Sequence, residues 1–325
     1  MIVKLPQKLN LFVFLMVLCT NLSVFLIPLL TNNYVIICGV LFFDLVLLRL
    51  TNMHWHIIHE GIHNILHSNL KINDLMGRIL AVFLFTSFNM VRFGHLFHHR
   101  VNRQTDEIDV CLDEQSKTWK GTLNYFFTIL GGHYLIYIFA MTFMFFLPRK
   151  KIIQIGNKTF GNQFNHNDKL QHFSNNHLKK HIEGSNLVKL RMDFILSLCI
   201  LVSMFFIYHQ FMILFISYLL IRALLFSYFD NMPHYATELH GDINAARNSY
   251  LPKPLALLFM NFNYHKLHHE LPVLSWYYLP KEFRKANHDY DDHLIRDFFD
   301  QFKGRVMRDQ LLPLNSSAIS DLTNS

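Results

Sequence analysis

The chain has 325 residues, of which 51% are hydrophobic and only 16% charged, and 32 of them are Phe. That balance excludes an ordinary soluble domain and points to the bilayer. The formal charge of +7 is no nucleic-acid footprint, because the basic residues sit in loops between apolar runs, as at Arg149, Lys150 and Lys151 or Lys179 and Lys180; Lys and Arg flanking membrane segments mark the cytoplasmic side.

Residues 9–30 form the first apolar run. It is longer than a signal-peptide core and no small-residue cleavage site follows, so an uncleaved span is expected. Residues 34–50 form a second run after the polar tip Thr31-Asn32-Asn33, and the two read as a membrane hairpin. No Gly or Pro lies between Gly39 and Gly61, so the second helix is expected to run on beyond the lipid, with His56, His59, His63 and His67 on one stripe. A helix over 34–67 would be roughly 50 Å long, against about 30 Å of hydrocarbon.

Residues 75–93 are apolar but contain Arg78, Asn89 and Arg92, and are expected to lie along the interface. Residues 121–147 carry Gly131-Gly132 near the middle and are expected to enter and leave on one side, as a re-entrant or kinked hairpin. Residues 149–190 are polar; His166, His172, His177 and His181 lie there and read as mostly solvated surface. Residues 192–208 and 211–229 read as a second hairpin. The last stretch, from about residue 300 through Asn315-Ser316-Ser317, reads as a poorly ordered tail. Cys19, Cys38, Cys111 and Cys199 form no CxxC and read as small buried hydrophobes.

Chemistry concentrates in three histidine sets. His59 and His63 stand in HEGIH, His95, His98 and His99 in GHLFHHR, and His265, His268 and His269 in NYHKLHHELP. Spacings of three and four put the imidazoles of each set on one face of a helix. Eight imidazoles converging from three segments would make a nitrogen-rich site with room for more than one transition metal. If the sets share one site they lie on one side of the membrane.

In this order, between apolar hairpins, the three motifs resemble the histidine boxes of the membrane fatty acid desaturase/hydroxylase superfamily. The resemblance covers roughly residues 35–285, and Asn102, the acidic run Asp106, Glu107 and Asp109, the pair Asp230 and Asn231, and Pro272 add to it. It implies a non-haem di-iron centre with two Fe ions, held by His59, His63, His95, His98, His99, His265, His268 and His269, with His234 in DNMPHY as a ninth candidate. It also implies O2-dependent removal of two hydrogens from a lipid chain, or oxygen insertion instead. The site would face the cytosol, in a bacterial inner membrane or the endoplasmic reticulum. With no fused haem-binding or ferredoxin-like domain visible, electrons would come from a separate donor, a ferredoxin or a b-type cytochrome.

The expected fold is therefore one all-α integral membrane domain over 1–325. It has two long transmembrane hairpins plus interfacial helices, capped by a cytosolic helical His-rich di-metal domain. A fatty acyl or other lipid chain is the expected substrate, in thioester, carrier-bound or lipid form; a carotenoid ring, and hydroxylation or ketolation in place of desaturation, stay open. Glu60, Asp109, Asp230, Glu238, Asp242 and Glu270 are candidates to receive the second N–H of ligand histidines, and Arg247 and Asn248 to orient the last motif. Trp276-Tyr277-Tyr278 reads as either a family-like ending or an interfacial aromatic anchor. Two rivals remain. HEGIH satisfies HExxH, so a membrane zinc protease is one; a metal transporter is the other.

Overall fold

A computed structural model describes residues 5–104, 107–161, 168–239 and 245–311. It is mostly helical. Asp106, His166, Asp242 and the tail from residue 312 onward lie outside the described residues.

Helices α1 (Gln7–Leu30) and α2 (Tyr34–Asp44) form the first hairpin, with Asn33 Oδ1 accepting from the backbone N–H groups of Val35 and Ile36 to start α2. The second helix does not run straight to residue 67. Its last turns, Leu45–Leu50, widen to π geometry, Asn52 takes a left-handed φ of 53°, and α3 (Met53–Ile62) leaves at 47°. No Gly or Pro announces this break. Buried polar groups hold it instead: Arg49 Nε donates to Asp44 at 2.9 Å, Arg49 Nη2 donates to Asn21 at 3.0 Å, and Arg49 Nη1 meets His54 Nδ1. Such a cluster survives in an apolar surround only because its members satisfy one another. His67 falls outside the helix, and its Nδ1 accepts from Asn69 N–H.

Residues 75–93 are not one run along an interface. They belong to α4 (Leu70–Phe83) and α5 (Phe88–Val101), which meet at 101°. A Cβ on Gly77 would come within 2.4 Å of the Phe88 ring, so only glycine permits this corner. Ser87 Oγ donates to Asp193 from another helix and fixes it.

The segment α6 (Trp119–Phe127), Thr128–Gly132 and α7 (His133–Phe146) kinks at the Gly pair, where Gly131 takes φ 128°. Then follow α8 (Arg149–Gly156), α9 (Asp168–His181), α10 (Ser185–Ile207) and α11 (Met212–Asn231), the last two forming the second hairpin. The two hairpin tips meet: Tyr208 Oη donates to the Val24 carbonyl at 2.7 Å, and the Tyr34 and Phe211 rings lie 6.0 Å apart. All three histidine motifs lie at the opposite end. Both ends of the kinked segment also touch that end. Tyr125 Oη donates to the Gln301 carbonyl, and the Leu147 carbonyl accepts from Arg191 near the start of α10.

Among the described residues, four helical stretches (α1, α6–α7, α10 and α11) are long and apolar enough to cross a membrane, or up to six if each bent pair counts as one. Large apolar side chains such as Phe12, Phe42, Phe206 and Leu220 are exposed on these helices, as a lipid solvent requires. The chain is an integral membrane protein. Two cysteines depart from the expectation of burial: Cys19 and Cys199 sit on the exposed exterior of α1 and α10.

The C-terminal part, α12 (Lys253–Leu258), α13 (His265–Glu270), α14 (Leu279–Lys285) and α15 (Leu294–Asp300), closes over the motif end. Two short parallel strand pairs stitch it down, Val110–Cys111 with Val306–Met307 and Ser249–Tyr250 with Asp292–His293. Trp276 is buried, not an interfacial anchor, and its Nε1 donates to Asn10 of α1 at 3.0 Å.

Candidate metal centre

Helix α3 presents His59 and ends at His63, its C-cap; α5 presents His95, His98 and His99, the turn after α11 presents His234, and α13 presents His265, His268 and His269. The structure brings all nine together, in two groups. His59, His63, His95, His99 and His268 form one; His98, His234, His265 and His269 form the other. Within each group one ring nitrogen per residue lies within 4.8 Å of the rest. Residues four apart on a helix go to the same group (His59 with His63, His95 with His99, His265 with His269).

The spacing between these nitrogens is informative. His95 Nε2 lies 3.0 Å from His63 Nε2 and 2.9 Å from His99 Nε2, and His99 Nε2 lies 3.0 Å from His268 Nε2. His234 Nε2 lies 3.1 Å from that of His98 and 3.0 Å from that of His265. One imidazole nitrogen carries a single proton or a single lone pair and serves one hydrogen bond, whereas the Nε2 atoms of His95, His99 and His234 each make two such contacts, so these chains cannot all be hydrogen bonds. Nitrogens bound to one metal at ~2.1 Å and set at right angles are about 3.0 Å apart. The buried His59 Nε2 has no hydrogen-bond partner at all among the described residues. Burial, followed by crowding of the rings, holds His63, His95, His265 and His268 well below the ordinary imidazole range, and burial brings His59 to about 3 and His98 to about 4. Neutral rings with free lone pairs are what a transition metal needs. The donor set thus fits two such ions.

The positioning comes from neighbours that are mostly not carboxylates. His234 Nδ1 pairs with the Ala245 carbonyl at 3.0 Å, and Asn102 Nδ2 donates to the same carbonyl at 2.9 Å. Asp109 serves the scaffold: it binds Arg103 at 2.6 Å and accepts from Ala236 N–H at 2.7 Å, which fixes the turn beside His234. Asp230 faces His133 at 3.1 Å, and Glu270 faces His288. Glu60 makes no hydrogen bond to an imidazole among the described residues; it accepts from Ser275 Oγ at 2.7 Å and Trp276 N–H at 3.2 Å, and burial raises its pKa to about 8. Glu238 makes no hydrogen bond to a ligand candidate among the described residues, and the expectation for Asp242 falls outside them. Asn248 does orient the last motif, since its Oδ1 accepts from Leu267 N–H inside α13 at 3.1 Å. Arg247 helps through its backbone, with its carbonyl accepting from Lys266 N–H and its N–H donating to the Pro233 carbonyl.

Helix α9 was not visible as part of this region in the sequence. His177 and His181 are four apart on it, and His177 is buried, with Nε2 3.0 Å from the Phe93 carbonyl of α5. The i, i+4 pair was the available signal. Among the described residues, a small cavity lies against His59, His265 and His268, and larger clefts open beside the imidazoles. One, of about 590 Å³, reaches His99; the other, of about 410 Å³, reaches His98 and His234.

The family model for fatty acid desaturases matches residues 34–300, which includes all three histidine motifs and His234. Searches of curated proteins and of solved structures return no match. The match and the clustered imidazoles agree, and the chain belongs to the fatty acid desaturase family, as a membrane oxidoreductase of the desaturase/hydroxylase type.

Proposed function

We propose that the protein is a non-haem di-iron enzyme that uses O2 and external electrons to desaturate a fatty acyl or other lipid chain. The observation that carries this reading is the division of nine imidazoles into two groups at one end of the two hairpins. When bound, iron would activate O2, the oxidant that an unactivated C–H bond demands. The protein's own part is to hold neutral imidazoles in place, to keep water from the buried rings and to seat an apolar chain beside them. His59, His63, His95, His99 and His268 would hold one iron, and His98, His234, His265 and His269 the other. Trp55, with its ring centroid 6.0 Å from that of His95 and 5.2 Å from that of Phe226, lies between the imidazoles and the apolar helices.

The short helices α8 and α9, which precede the second hairpin, carry Arg149, Lys150, Lys151, Lys179 and Lys180 where the sequence suggested loops. Basic segments flanking spans favour the cytosolic face, in a bacterial inner membrane or the endoplasmic reticulum, where a ferredoxin or a b-type cytochrome would deliver electrons. The zinc-protease alternative needs Glu60 as a free base, whereas Glu60 is engaged by Ser275 and Trp276, and it leaves both HxxHH sets without a role. A transporter would set its ligands near mid-bilayer, whereas these lie beyond the hairpins. Hydroxylation uses the same imidazoles and is the alternative outcome. Expression in a host lacking the activity, followed by lipid mass spectrometry with and without O2, tests the proposal. A product lighter by two hydrogens supports desaturation, one heavier by an oxygen supports hydroxylation, and no O2-dependent change rejects both.

A further inference from the structure

Every residue of α3 is buried, and one of its imidazoles, His56, belongs to neither metal group. His56 is 4% exposed and stacks on the Phe262 ring with centroids 4.3 Å apart. Neither of its ring nitrogens meets a hydrogen-bond partner among the described residues. The Phe259 carbonyl lies beside the ring; were it to take one ring N–H, the other nitrogen would still hold a bare lone pair. A buried polar ring left bare is costly and calls for an occupant beside it. A second bare atom belongs to His265. Its Nε2 lies 3.0 Å from His234 Nε2 inside the metal group, which leaves Nδ1 as the nitrogen that carries the proton. A metal-bound histidine passes that N–H to a carboxylate, a carbonyl or water. Here His265 Nδ1 is buried with no partner among the described residues. Both imidazoles lie against Phe262, whose centroid is 4.6 Å from that of His265, and both line one cavity of about 20 Å³. A buried water needs about 10–15 Å³ and two or more polar partners. His269 Nδ1 is bare as well, but His269 does not line this cavity.

We propose that this cavity binds one ordered water, which accepts from His265 Nδ1–H and donates to a ring nitrogen of His56, so that His56 is a positioning residue for His265. The Glu60 carboxyl on the same wall accepts the second O–H, since each carboxyl oxygen has a lone pair to spare beyond its bond to Ser275 or Trp276. The role is geometric. A fixed acceptor at Nδ1 sets the plane of the His265 ring and aims Nε2 at the group of His98, His234 and His269. The inference rests on the reading of the imidazole groups as a metal centre. It gives α3 a part in both groups, directly through His59 and His63 in one and through His56 and the water in the other.

The test is titration of the purified, metal-free full chain with Co2+ in uncharged detergent, read by visible absorption, so that no turnover is needed. His56→Leu removes both ring nitrogens and keeps an apolar side chain against Phe262. It is expected to weaken one of the two bound ions about 10-fold or more and to leave the other unchanged. His56→Gln, which keeps a donor and an acceptor, is expected to restore most of that affinity. His56→Phe replaces His56→Leu if the leucine variant does not fold. Loss confined to one ion in His56→Leu, with recovery in His56→Gln, supports the proposal. Unchanged binding in His56→Leu, equal loss in both variants, or equal weakening of both ions overturns it, the last two pointing to a packing role. His268→Ala and His269→Ala separate the two readings. If neither lowers Co2+ binding, the metal centre itself is refuted and the water site with it; if both do while His56→Leu binds like the wild type, the water site alone is refuted.

Discussion

His98 and His99 are adjacent in sequence, yet His98 Nε2 lies 3.1 Å from His234 Nε2 in one imidazole group and His99 Nε2 lies 3.0 Å from His268 Nε2 in the other. Successive residues on a helix point about 100° apart, so a doubled histidine serves two centres from one turn. His268 and His269 are divided in the same way.

From that division, His268→Ala and His269→Ala are each expected to lower bound metal by roughly half, because each removes a donor from a different group. Elemental analysis of the purified variants reads this directly. Full metal content in both would refute the assignment of the rings as ligands.

Glu60 separates the oxidoreductase from a peptidase. Glu60→Gln is expected to keep turnover within a few-fold, since the amide oxygen still accepts from Ser275 Oγ or Trp276 N–H. Glu60→Ala leaves those donors buried and unpaired, at a cost of about 1–3 kcal/mol in stability. Loss of all activity in the Gln variant, with an unchanged melting temperature, would give Glu60 a chemical role.

Acid should loosen the metal-free protein. Burial holds His59 at about 3 and His98 at about 4, and His95 and His268 well below the ordinary value. In the unfolded chain these rings take up protons near pH 6.5, while the folded ones stay neutral until the pH is far lower. The unfolded state therefore binds more protons in this window. The contribution is fully present above about pH 6.5 and is lost as the pH falls below it. Thermal melts of the chelated protein between pH 8 and pH 5 should show a falling midpoint, and a flat profile would contradict the buried neutral rings.

Asn248→Ala is expected to cost about 1 kcal/mol and to lower metal affinity about 10-fold or more, because its Oδ1 holds Leu267 N–H between His265 and His268. Asn248→Asp, which keeps the acceptor, should restore most of the affinity. Equal loss in both variants would point to a packing role instead.

The sequence exposes the ligand candidates because helical spacing is a local property. His59 with His63 and His95 with His99 could be paired on one face before any fold was known. How the rings divide is tertiary: it depends on α13 and the His234 turn approaching α5 from one side. The break at Asn52 was hidden because a buried cluster around Arg49 and Asp44 sets it, not a Gly or Pro. The acids near the motifs misled for a related reason. Nearness in sequence suggested Glu60 and Asp109 as partners of the imidazoles, but their hydrogen bonds go to the scaffold. Helix α9 reads as a polar surface because only a narrow stripe of it, through Ser174, His177 and Leu178, is buried.

The stitch between Trp276 and Asn10 ties the first helix to a segment translated more than 260 residues later. During biogenesis, then, neither imidazole group can close until both hairpins are inserted and α13 has left the ribosome. A nascent chain halted before His265 would carry six of the nine rings and leave each group short of its last donors. Under the proposed function, metal loading would be the final act of assembly, and a cell short of that metal would accumulate a threaded but unsealed precursor.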